Sequence, residues 1–73
     1  MVMKVHAILT SGDVIRKRFE HENPTIAIER AFICAMAFED RMRESGDVQK
    51  VFLLQDSRLL KYMDNVDTGW IDL

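Results

Sequence analysis

Met3-Lys4-Val5-His6-Ala7-Ile8-Leu9, then Thr10-Ser11-Gly12-Asp13, then Val14-Ile15-Arg16-Lys17-Arg18-Phe19-Glu20: this stretch decides the fold. In its first part Met3, Val5, Ala7 and Leu9 are apolar at every second position while Lys4, His6 and Thr10 intervene, the period of a half-buried strand, with Ile8 as the exception. In its last part Ile15 and Phe19 fall on one side and Arg16, Arg18 and Glu20 on the other, with Lys17 breaking the first side. The polar, glycine-containing segment between them reads as a turn.

Loop length then follows from facing, because directly opposed residues of an antiparallel pair share one face of the sheet. A loop of Thr10-Ser11-Gly12, with Gly12 left-handed, sets Met3 opposite Phe19 and Ala7 opposite Ile15, so the apolar side chains converge. A Ser11-Gly12 loop would instead set Val5 opposite Arg18 and Ala7 opposite Arg16, bringing charge into the buried side. The odd-length loop is favoured, and it gathers Lys4, His6, Arg16 and Arg18 on the other side, beside Glu20.

Downstream, Asn23-Pro24 joins a good cap residue to a proline at the first helical position, where its missing N–H is harmless. The helix runs to about Glu44, with Ser45-Gly46 as the stop, and at about 1.5 Å per residue it is roughly 30 Å long. Ile28, Ala31, Phe32, Ala35, Phe38 and Met42 recur at helical spacing and define the side expected to cover the hairpin. Ile26, Ile33 and Ala37 form a second apolar strip on the opposite side, near Arg30 and Glu44.

Val48 to Gln55, Val-Gln-Lys-Val-Phe-Leu-Leu-Gln, is β-branched, aromatic and short, and reads as a strand. After Asp56-Ser57 two continuations are open: a return strand from Arg58 to Asp64, which is favoured, or a short helix capped by Asp56 and holding Leu59, Leu60 and Met63. Within residues 64–73, a candidate flexible tail, Trp70 either docks or frays with its neighbours. The expected architecture is a small single α+β domain, a β-hairpin followed by a long amphipathic helix on one face of an antiparallel sheet, ββαβ with an optional further strand.

A chain of 73 residues, 48% hydrophobic and 30% charged, holds enough apolar surface for one domain and too little for two. At this size the core is small, and association with another subunit adds stability. The net charge of -2 is spread unevenly: four Lys/Arg against three Asp/Glu up to Asn23, three against four up to Gly46, and three against five after it. That excludes the whole-domain basic field of a dedicated nucleic-acid binder but leaves room for a local cationic patch. Cys34 is the only cysteine, so no internal disulfide forms and a reducing, cytoplasmic setting is expected. Lys4 and His6 interrupt the apolar N-terminus, and Asp13 and Arg16 follow too soon for a signal peptide or a membrane span.

Chemistry-bearing motifs are sparse. His6 and His21 stand apart from any Cys-x-x-Cys or His-x-x-x-His spacing, so no metal is expected. Asp64-Asn65-Val66-Asp67-Thr68-Gly69 resembles the start of a calcium loop but has Val66 at the third position and no room for the twelfth-position carboxylate. Cys34 reads as a small core hydrophobe without an activating base. Glu39 and Asp40, adjacent on a helix, diverge by about 100° and cannot share a proton. There is no glycine-rich phosphate loop, and no cofactor is expected.

What the residues favour is a non-enzymatic protein-interaction module: an adaptor or inhibitor of the kind found among viral accessory proteins, docking on a protein partner and pairing with itself as a homodimer. Its expected contact residues are Ile26, Ile33, Ala37 and Trp70, with the acidic tail selecting a basic surface. The alternative is RNA or DNA binding through Lys4, His6, Arg16 and Arg18. Against it stands the absence of exposed aromatic residues interleaved with the basic ones to stack on bases.

Overall fold

A computed structural model describes all 73 residues. β1 (Val2–Leu9) and β2 (Val14–Glu20) form the expected hairpin, with Met3 opposite Phe19 and Ala7 opposite Ile15. The loop closes through the Leu9 N–H donating to the Asp13 carbonyl at 2.8 Å and the Gly12 N–H donating to the Leu9 carbonyl at 2.9 Å. Gly12 has φ +95°, which side chains with a Cβ rarely adopt, so the three-residue loop depends on glycine there.

α1 (Pro24–Glu44) starts where Asn23 accepts the Thr25 N–H at 3.0 Å through its side-chain oxygen. It stops where the Ser45 and Gly46 N–H groups both reach the Arg41 carbonyl at 3.0 Å, with Gly46 left-handed at φ +68°. β3 (Val48–Gln55), β4 (Arg58–Met63) and a short β5 (Ile71–Asp72) complete an antiparallel sheet of order β2-β1-β3-β4-β5. The segment after Asp56-Ser57 is therefore strand. The turn itself places Asp56 at φ +54°, and its N–H donates to the Val2 carbonyl at 2.7 Å. β2 and β3 both run against β1, so they are parallel to each other, and α1 makes the crossover between them.

The helix covers one face only. Beneath it lie Met3, Val5 and Ala7 of β1 and Val48, Val51 and Leu53 of β3, all buried. Val48 and Val51 are three apart yet face the same way because the β1–β3 register shifts after Ile8, leaving Gln49 as the extra residue of a bulge. Ile15 and Phe19 from β2, Leu60 from β4 and Trp70 pack half-buried around this centre.

On the helix side the contact line is Ala27, Ala31, Ala35 and Phe38. Ile28 and Met42 flank it, as their spacing suggested, but Phe32 does not belong to it: it is 40% exposed, with the Lys61 ammonium 5.6 Å from its ring centre. The physical reason is space. Met3 and Leu53, both large and fully buried, already fill the layer below α1, so the small alanines face it and let the helix lie close, while the bulky side chain is turned to the margin.

Candidate functional site

Two surfaces on opposite sides of the molecule carry large or charged side chains outside the buried core. The first is the outward side of α1. Phe32, Ile33 and Met36 are 40%, 68% and 58% exposed, spaced so that they form one apolar ridge along the middle of the helix. Of the residues expected there, Ile33 and Ala37 are exposed, whereas Ile26 is half-buried. Trp70, expected beside them as a contact residue, is half-buried and packs against the core of its own chain. The sequence reading missed Phe32 and Met36. Met36 lies one turn from Ile33 and Phe32, and that spacing was the available signal.

The second surface is the sheet face that no helix covers. Since Met3, Val5 and Ala7 point under α1, Lys4, His6 and Ile8 point away from it, and the cross-strand register carries that facing outward. Arg18 and Arg16 stand opposite Lys4 and His6 on one side; Leu54, Phe52 and Lys50 stand opposite Lys4, His6 and Ile8 on the other. Tyr62 follows Phe52, and Ile71 follows Tyr62. A straight transverse row, Arg16, His6, Phe52, Tyr62, Ile71, therefore crosses all five strands.

Lys4, His6, Arg16, Arg18 and the neighbouring Lys17 line a depression of about 380 Å³. Arg18 has a partner in Glu20 at 2.8 Å, a contact with both side chains more than half exposed, and such pairs contribute only about 0–1 kcal/mol. The expected cationic cluster thus exists as one patch, and half-buried aromatic side chains stand beside it on the neighbouring strands. Phe52 and Tyr62, with ring centres 6.4 Å apart and planes tilted by 32°, lie on the same face one and two strands further along. The sequence hid them because Val51-Phe52-Leu53-Leu54 is apolar at every position, so only the register with β1 tells which side chains face the helix.

The patch leaves its mark on His6, whose pKa is held below the ordinary imidazole value of 6.5 by burial first, then by the Arg16 and Lys4 charges. Because the folded chain favours neutral His6, the unfolded chain binds more protons just below pH 6.5, and stability is lost as the pH falls through the folded value. Denaturation midpoints should accordingly drop between about pH 7.5 and 5.5, and His6→Gln should flatten that part of the curve. An unchanged slope in the variant would remove His6 as the cause.

Arg41 donates to Asp47 at 2.6 Å, joining the end of α1 to the start of β3, and this hydrogen bond holds the Asp47 carboxyl below its usual range. Burial raises the Cys34 thiol, which leaves it a poorer nucleophile. No group of three or more His, Cys, Asp or Glu side chains is arranged to hold a metal ion, and no helix is long and apolar enough to cross a membrane. No protein-family model, curated protein or solved structure matches the chain.

Proposed function

We propose that this chain is a non-enzymatic protein-interaction module, an adaptor or inhibitor, whose docking surface is the outward ridge of α1 and whose simplest mode of assembly is pairing with a second copy. The observation that carries this reading is an inversion of the usual order of side-chain size. α1 turns Ala27, Ala31 and Ala35 to its own core and Phe32, Ile33 and Met36 to the outside. An apolar helix ridge rimmed by charge, here by Glu29, Arg30, Asp40 and Arg43, suits the groove or helix of another protein. Burial of the ridge against a second copy would add to a small core, since only 11 of the 73 residues are buried within one chain.

Sedimentation of the purified protein tests the proposal. The wild type should show a mass above the 8.5 kDa of one chain that rises with concentration. Ile33→Asp places an unpaired carboxylate in the contact and should weaken association at least tenfold, about 1.4 kcal/mol, with the circular dichroism unchanged. A wild type that stays a single chain at every concentration, and that retains the same proteins from an extract as a folded Ile33→Asp variant does, would overturn the reading.

A further inference from the structure

We propose that the open face of the sheet is a binding platform for single-stranded nucleic acid, with the backbone phosphates over the cations of β1 and β2 and unpaired bases over Phe52 and Tyr62. It is independent of the α1 ridge, which lies on the other side of the sheet.

Charge separation is the first support. The chain as a whole is acidic, with 12 Asp and Glu to 10 Lys and Arg, yet Lys4, Arg16, Arg18 and Lys50 all fall on this one face. Among the paired strand residues of the face only Glu20 brings a carboxylate, opposite Val2. Its exposed contact with Arg18 is weak enough for a phosphate to replace, and guanidinium forks match phosphate oxygens well. The depression that Lys4, His6, Arg16, Lys17 and Arg18 line gives those oxygens a place to sit.

The aromatic pair is the second support, and it comes from different strands. A charged patch alone would fit any polyanion, but two neighbouring half-exposed rings on the open sheet face beside the cations add stacking surfaces that suit unpaired bases. Strands lie about 4.8 Å apart, so the Phe52 column stands roughly 10 Å from the Arg16 column across β1. Backbone and base of one extended strand can thus lie on separate columns. A duplex, with its bases stacked inside, would reach the cations and miss the rings.

Fluorescence anisotropy with labelled 12-nucleotide single-stranded RNA, single-stranded DNA and duplex DNA, each over a salt series, tests this. The single strands should bind more tightly than the duplex, and the RNA and DNA arms tell which sugar is preferred. With three or four phosphates neutralised, log affinity should fall against log salt with a slope of roughly -2 to -3. Replacing Arg16 and Arg18 together by alanine should flatten that slope by about 1.4. Phe52→Leu and Tyr62→Leu, which keep an apolar side chain on the sheet, should each weaken binding roughly five- to hundredfold with the slope unchanged. Ile33→Asp should bind as the wild type does, so loss of the ridge and loss of the platform are read separately. No anisotropy change at low salt, a duplex bound as well as the single strands, or unchanged affinity in both leucine variants would each overturn the proposal.

Discussion

Phe38→Ala is expected to lower the unfolding free energy by about 3–5 kcal/mol, the range for truncating a buried aromatic side chain. Phe38 is 6% exposed and is the one large residue that α1 commits fully to the core; the other three buried residues of the helix are alanines. Its loss leaves a hole bounded by rigid strands that cannot collapse to fill it. For a domain of this size such a loss is comparable with the whole stability. Chemical denaturation read by circular dichroism checks it, with Ile33→Ala as the control: that side chain is 68% exposed, and its removal should cost less than about 0.5 kcal/mol. A Phe38→Ala midpoint matching the control would mean that the helix does not cover the sheet through this side chain.

Ala31→Leu should be the second large effect and has the opposite cause. Ala31 is fully buried at the middle of the contact line, between Ala27 and Ala35, where the helix lies close above the sheet. Added methylenes have nowhere to go, and overpacking of this kind costs about 1–3 kcal/mol. The expected signature is a lower midpoint together with weaker protection of the β1 and β3 amides from hydrogen exchange. A substitution at this site that left the midpoint unchanged would contradict the close approach of helix to sheet.

The hairpin and the helix ends were legible in the sequence because short-range rules decide them. Alternation over Met3 to Leu9, a glycine at the left-handed place of the loop and an Asn-Pro helix start each allow essentially one outcome. The inward side of α1 was only partly legible. The helix is apolar around much of its circumference, so periodicity admits several orientations, and the choice depended on how much room β1 and β3 left beneath Phe32. The sheet face was legible in its basic half, where Lys4 alternates with the core residues Met3 and Val5 and only Lys17 interrupts the alternation of Ile15, Arg16, Arg18 and Phe19. It was hidden in its aromatic half, because a continuous apolar run such as Val51 to Leu54 has no alternation and two register shifts separate local pattern from final facing.

Strand β2 ends the sheet on one side and bears Arg16, Lys17 and Arg18 in succession. Were a second molecule to pair its own β2 there in antiparallel fashion about Lys17, each Arg16 would meet an Arg18 across the seam. Like charges so placed repel, and cations on an outermost strand are a known guard against uncontrolled growth of sheets from molecule to molecule. The same three side chains that form the most basic part of this acidic chain therefore also oppose its growth into fibres.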